Sequence, residues 1–216
     1  ARGTWPPDAE RWRLFVPTEV RGATLGVIGY GSIGRELARI AKTAFGMTVL
    51  ACKRDPARRA DPGYSPPGTG DPEGVLPDAW LSPDRLPELL TRSDVVVMCV
   101  PLTPETRNMI GGAELRAMKR SAYFINVGRG ATVDETALAR ALAEARIAGA
   151  AVDVFAQEPP PAGHPLYGLD NVILSPHVSG FVPSYDDRCS DLFAENLRRY
   201  LAGAPLLNLV DRARGY

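Results

Sequence analysis

A histidine, a glutamate and an arginine stand in this sequence where packing alone explains them poorly. His177 closes Ser175-Pro176-His177, Glu158 opens Glu158-Pro159, and Arg129 sits between two glycines in Asn126-Val127-Gly128-Arg129-Gly130. An imidazole held by a carboxylate has its tautomer fixed and its protonated form stabilised, which suits a general acid–base. A guanidinium presents a planar fork that matches a carboxylate. Each residue also has a plainer reading, as a satisfied surface histidine or, for Arg129, as half of a structural ion pair. His164, in a loop rich in proline and glycine, keeps that plainer reading. Convergence lifts the other three above it, because each follows a strand-like run and the carboxyl ends of those runs share one edge.

The element that organises the edge comes early. Leu25-Gly26-Val27-Ile28 reads as a strand that breaks into Gly29-Tyr30-Gly31-Ser32-Ile33-Gly34 and re-emerges as an amphipathic helix. Gly29, Gly31 and Gly34 have G-x-G-x-x-G spacing. The first permits the turn, the second admits a pyrophosphate against backbone N–H groups, and the third lets helix and strand pack closely. The helix N-terminus then favours the anion. The plain alternative is a tight strand–helix turn without a ligand.

Periodicity predicts strands at 24–28, 47–51, 94–100, 122–127, 148–154 and 171–174. It predicts helices near 32–45, 82–90, 112–118, 134–146 and 184–202. Gly46 ends the first helix, Ser82-Pro83 opens the second, and Asp134 is placed to cap the fourth, with Gly149 after its end. Residues 55–79 hold many of the prolines and glycines and read as a long surface loop. Residues 1–20, with Trp5 and Trp12, follow neither period and read as an irregular arm, packed on a partner subunit or on its own domain. Alternating strands and helices imply an α/β, doubly wound parallel sheet of the Rossmann type, in which ligands gather at the carboxyl ends of the strands.

At the end of the second strand stand Lys53 and Arg54. A dinucleotide site for NAD carries an acid near here for the ribose 2′-hydroxyl, whereas a 2′-phosphate attracts Lys or Arg. The pair therefore leans toward NADP, unless both side chains open a basic solvent loop with Arg58 and Arg59. Lys+Arg total 25 and Asp+Glu total 25 among 216 residues. This balance leaves no field of one sign for nucleic acid or an anionic membrane. No apolar run approaches the roughly 20 residues of a membrane span. Cys52, Cys99 and Cys189 make no CxxC pair. Their odd count and spacing argue against a disulfide framework or a zinc site and fit a cytoplasmic protein, with Cys52 and Cys99 as small buried hydrophobes.

From about Arg21 to its C-terminus the chain resembles the cofactor-binding domain of the D-isomer-specific 2-hydroxyacid dehydrogenases. The resemblance rests on the glycine turn, Val100-Pro101-Leu102-Thr103-Pro104-Glu105-Thr106, Asn126-Val127-Gly128-Arg129-Gly130, Asp153-Val154-Phe155, Glu158-Pro159 and Ser175-Pro176-His177. It implies hydride transfer between nicotinamide and C2 of a small 2-hydroxy or 2-oxo acid. His177 would exchange the hydroxyl proton, Glu158 would support it, and Arg129 would bind the substrate carboxylate. Asp153 would fix the nicotinamide carboxamide. Cofactor contacts are implied at Gly29, Gly31, Ser32, Ile33 and Gly34, then at Lys53 and Arg54. Further ones are implied at Val100, Pro101 and Thr106, at Asn126, Val127 and Gly128, and at Gly180.

Such enzymes have two lobes and form dimers, and the substrate lobe is expected to lie outside this chain. Residues 1–20 would be the interlobe and dimer arm, 21–181 the dinucleotide domain, and 182–216 a helix and tail returning toward the other lobe. The domain alone is then expected to bind dinucleotide but turn over little. A dinucleotide-sensing corepressor of the same fold is the alternative, since it would keep the same arginine, glutamate and histidine.

Overall fold

The computed structural model describes residues 5, 7–10, 18–61 and 63–212. Seven strands form one sheet: β1 (Thr24–Ile28), β2 (Thr48–Cys52), β3 (Ala79–Leu81), β4 (Val95–Met98), β5 (Tyr123–Asn126), β6 (Gly149–Val152) and β7 (Val172–Leu174). Their order is β3-β2-β1-β4-β5-β6-β7, and every pair is parallel. The helices are α1 (Ser32–Phe45), α2 (Leu86–Arg92), α3 (Gly112–Ala117), α4 (Glu135–Ala143) and α5 (Tyr185–Leu201). Parallel neighbours demand crossovers, and helices supply most of them.

The two faces of the sheet divide the core. Leu25, Val27, Val49, Ala51 and Val97 pack with Tyr30, Ala38 and Ala41 on the α1 side. Ile28, Leu50, Val96, Met98 and Phe124 pack on the other side with Leu89 and Leu90 of α2, Leu115 of α3 and Leu138 of α4. Strand order reverses between β1 and β4, so the crevice that collects ligands in such sheets opens beside the glycine turn.

The structure corrects several expectations. A strand stands at Ala79–Leu81 where a loop end was expected; three residues are too few to show alternation, and β3 is an edge strand held by its register with β2. The helix expected from Ser82 starts as a 3-10 turn over Pro83–Arg85, and the Ser82 side chain makes no capping bond. Asp134 does cap α4, accepting from Ala137 N–H. Gly149 follows α4, as expected, and opens β6; a Cβ there would lie 2.8 Å from the Asn171 carbonyl and 3.1 Å from the Tyr123 ring. Cys99 and Val100 leave the sheet at the end of β4. Within the arm, Asp8–Glu10 are helical, while Trp12 and most of 1–17 lie outside the described residues.

The long loop is tied down. Arg35, 1 % exposed, donates to the carbonyl oxygens of Asp71 and Arg59, and its Nε lies 3.4 Å from Asp61. Tyr30 donates to Asp71 at 2.8 Å, and Asp71 also takes the Val75 and Leu76 N–H groups. A guanidinium buried this deeply must have its donors satisfied. Here the carbonyls of the loop do much of that, so the glycine helix and the loop stabilise each other.

Candidate active site

The glycine turn has the geometry its spacing requires. Gly29 adopts φ +98°, and a Cβ there would meet the Cys99 carbonyl carbon at 2.9 Å. A Cβ on Gly34 would lie 2.4 Å from the Gly29 carbonyl oxygen, so only glycine lets α1 start this close to β1. Gly31 faces open space, Ser32 is exposed, and Ile33 is 57 % exposed. The first turn of α1 holds no acid and receives no side-chain cap. It is an accessible helix start whose N–H groups and dipole suit a phosphate.

At the end of β2, Lys53 bends onto the following loop and donates to the Arg58 carbonyl at 2.6 Å. Burial, followed by the charge of Arg35, lowers its ammonium from the ordinary lysine value. Arg54 is exposed, and its charge reaches Glu105 in the turn after β4. In that turn Thr106 ties its own neighbours, donating to the Pro101 carbonyl (2.7 Å) and accepting from Thr103 N–H (2.8 Å). Val100 and Pro101 remain half-buried.

β5 ends at Asn126, which is 1 % exposed and shapes the turn that follows. It accepts from Gly128 N–H (3.1 Å) and donates to the Arg129 carbonyl (3.3 Å). Val127 is half-buried, and Gly128 lies against the Val100 backbone, where a Cβ would sit 2.8 Å from its carbonyl oxygen. Arg129 is thereby pushed outward. Its Nη1 donates to the Gly128 carbonyl (2.7 Å), and among the described residues no carboxylate lies within ion-pairing distance. The structural ion pair is thus absent there, and the side chain is exposed.

Asp153, immediately after β6, is turned toward the histidine. Its carboxylate accepts from Ser175 Oγ (2.6 Å), Val178 N–H (2.9 Å) and Ser179 N–H (3.0 Å), and its carbonyl accepts from His177 N–H (2.9 Å). Burial alone would raise its carboxyl. The bonds from Ser175, Ser179 and the Val178 backbone outweigh it and hold the group at about 2. The loop so clamped places His177 at φ +53°, a conformation uncommon for a residue with a side chain. Gly180, just beyond, is exposed with open space around it.

His177 Nδ1 meets Glu158 Oε2 at 2.7 Å, and Glu158 Oε1 accepts from Phe155 N–H at 2.9 Å. The bond to His177, the Phe155 N–H and the nearby charge of Arg129 lower the Glu158 carboxyl below the ordinary value against a small burial effect. His177 Nε2 has no partner among the described residues, and the ring is half exposed. A cavity of about 460 Å³, walled by Phe155, Pro159, Tyr167, Leu174 and Pro176, opens beside the pair. A held imidazole with one free nitrogen, next to an outward-facing guanidinium, can move a proton at an oxygen whose neighbouring carboxylate is gripped.

Sequence reasoning missed Glu135, which pairs with His164 beneath this site. No local signal could have found it, because the partners are 29 residues apart on unrelated elements. Among the described residues no group of three or more metal-ligating side chains occurs, and no helix is long and apolar enough to cross a membrane. Cys52 and Cys99 are inert: burial, with the charge of Asp84 for Cys52, pushes their thiols up to about 11 and about 12.

Residues 2–179 match the family model described as D-isomer specific 2-hydroxyacid dehydrogenase, NAD binding domain. The chain belongs to this family. It is 39 % identical over 211 residues to the glyoxylate reductase of Aeropyrum pernix, covering 94 % of this chain and 58 % of that protein. It is 38 % identical over 213 residues to the glycerate dehydrogenase of Methylorubrum extorquens, covering 97 % of this chain and 60 % of that protein. The chain thus spans somewhat over half the length of these relatives. A crystal structure of a D-isomer specific 2-hydroxyacid dehydrogenase from Xanthobacter autotrophicus Py2, in complex with NADPH and MES, superposes with a TM-score of 0.76 at 36 % identity. That match covers 96 % of this chain and 81 % of that one.

Proposed function

We propose that this chain is the coenzyme half of an NAD(P)-dependent oxidoreductase acting at C2 of a small 2-hydroxy or 2-oxo acid. The observation that carries the reading is the meeting of Arg129, Glu158 and His177 at the carboxyl edge of β5, β6 and β7. Bound nicotinamide supplies or accepts the hydride. His177 Nε2 gives a proton to the carbonyl oxygen on reduction and takes it back on oxidation. Glu158 stabilises the imidazolium, and Arg129 grips the substrate carboxylate and polarises the carbonyl, an attraction that grows as negative charge develops. Asp153, fixed by its bonds to Ser175, Val178 and Ser179, would accept from the carboxamide of the ring.

At the ribose end the reading leans to NADP. No acid follows β2 directly, Lys53 retains two N–H donors, and the charge of Arg54 is felt at Glu105 in the turn after β4. The NADPH carried by the Xanthobacter relative supports the lean. We read residues 1–20 as an interlobe and homodimer arm, 21–181 as the dinucleotide domain, and 182–216 as the return toward a substrate lobe. The exposed Phe193, Tyr200 and Leu201 of α5 support the last assignment. The cytoplasm is the compartment that fits the free thiols.

Calorimetric titration with NADH and NADPH in parallel tests the cofactor reading. A preference for NADPH that Lys53→Asp with Arg54→Ala abolishes would support it, and a preference for NADH would return both side chains to solvent. For the reaction, Arg129→Ala in the product of the complete gene should weaken use of glyoxylate about 100-fold, with dinucleotide affinity unchanged. Unchanged kinetics would remove Arg129 from the substrate site.

A further inference from the structure

Glu158 does not rest on the sheet directly. Asp153 still bonds Asn126 and His177 through its backbone, but from Val154 to Glu158 the chain runs outside the sheet, so something else must hold that segment still. The Phe155–Ala156 peptide is where it is held. The peptide's own N–H and the one before it point to two different carboxylates: Ala156 N–H to Glu135 Oε1 at 2.7 Å, and Phe155 N–H to Glu158 Oε1 at 2.9 Å. On a third side the peptide presses on Gly130, where a Cβ would sit 1.8 Å from the Phe155 carbonyl carbon. Gly130 adjoins Arg129, so this one peptide borders both halves of the site.

Glu135 stands in the first turn of α4, a helix whose other end is buried in the core, and is itself anchored by His164. Its Oε2 lies 3.1 Å from His164 Nε2, and His164 Nδ1 accepts from Leu166 N–H at 3.4 Å. That second bond fixes the tautomer, since an Nδ1 that accepts leaves the proton on Nε2, facing the carboxylate. The side chains are 7 % and 15 % exposed. Phe155 and Tyr167 flank the imidazole edge-on, with centroids at 5.5 and 6.0 Å. Both ring nitrogens of His164 are engaged and neither reaches the crevice, so His164 has no proton to offer a substrate.

We propose that His164 and Glu135 are positioning residues: together they hold the Phe155–Ala156 peptide so that Glu158 keeps its place behind His177. The proposal rests on the reading of Glu158 and His177 as the acid–base pair. Its physical basis is leverage. Glu158 is more than a third exposed and takes its orientation from one backbone N–H and one imidazole. A drift of the peptide by an ångström would open both bonds, and misplacement of that size can cost up to about 100-fold in rate.

The test compares His164→Leu, His164→Gln and Glu158→Gln. The Glu158 carboxyl is followed by carbon-13 NMR in this chain, and hydride transfer to glyoxylate is followed in the product of the complete gene. His164→Leu should raise the Glu158 midpoint toward the ordinary glutamate value. It should lower kcat about tenfold while KM for glyoxylate and dinucleotide affinity stay unchanged. His164→Gln, whose amide N–H can replace Nε2–H, should restore both readings. A folded His164→Leu protein with the original Glu158 midpoint and kcat overturns the proposal. If His164→Leu does not fold, Glu135→Gln takes its place with the same two readings. Glu158→Gln is the separate arm: if it leaves turnover intact, the acid–base reading fails, and the Glu158 midpoint in the His164 variants still decides the positioning.

Discussion

His177–Glu158 and His164–Glu135 join the same two side chains, at 2.7 and 3.1 Å, on either side of one peptide. The first imidazole is half exposed and keeps Nε2 free, while the second is buried with both nitrogens engaged. Exposure and valence, not residue identity, separate the two. A histidine does acid–base chemistry when one nitrogen is held and the other is open; with both held it becomes a rigid strut. The carboxylates divide in the same way. Glu158 answers to groups of the site, whereas Glu135 ties a loop to a helix.

Exchanging the histidines for residues that keep the local backbone should separate their roles most sharply. His177→Asn tolerates the left-handed conformation at φ +53°. It should lower turnover about 1000-fold and change stability by less than about 0.5 kcal/mol, read by steady-state kinetics and thermal unfolding. His164→Leu should reverse the balance, losing about 2 kcal/mol of stability because a buried carboxylate oxygen is left without its donor.

Gly130→Ala strikes the peptide between the pairs. With a Cβ 1.8 Å from the Phe155 carbonyl carbon, the backbone must move. Urea unfolding should show a loss of about 3 kcal/mol, and turnover should fall with it. If Gly130→Ala loses stability but keeps full turnover, the coupling between that peptide and the exposed pair is broken.

Asp153→Asn tests the clamp on the exposed pair through its pH dependence. The folded carboxyl sits at about 2 against an ordinary 3.8. A depressed group contributes stability that is complete above the unfolded value and is lost as pH falls through the folded one. Near neutrality the substitution should therefore cost about 2 kcal/mol. The difference from the parent chain should shrink between about pH 4 and pH 2. A gap that stays constant across that window would mean the carboxylate's charge is not what clamps the loop. Ser175→Ala removes one donor from the same carboxylate and should cost about 1 kcal/mol, with the acid transition moved to higher pH.

Much of the fold was legible. Apolar runs marked every strand but β3, whose Ala79-Trp80-Leu81 is too short to carry a period. Gly46 and Asp134 marked helix ends because capping is a matter of neighbouring residues. The Arg129, Glu158 and His177 cluster was legible because each residue follows a strand end, and a parallel sheet brings those ends together. Other readings stopped where a side chain had a choice of partners. Lys53 could face a phosphate or solvent, and in the structure it caps the Arg58 carbonyl. Thr106 and Asn126, both expected at the cofactor, bind their own turns. The loop at 55–79 looked free by composition, and Arg35 and Tyr30 hold it from α1 and the glycine turn.

The sequence by itself determined the alternation of strands and helices, the glycine turn and the edge where reactive side chains gather. These follow from periods and spacings within a few residues. Only the tertiary structure decided which groups hold each histidine, and where Asp153 and Arg35 turn. Those outcomes depend on pairings such as His164 with Glu135, 29 residues apart, and Arg35 with Asp71, 36 apart. Each such bond contributes only about 1 kcal/mol net, too little to impose a local pattern. Its partner is set by where the packed sheet returns the chain.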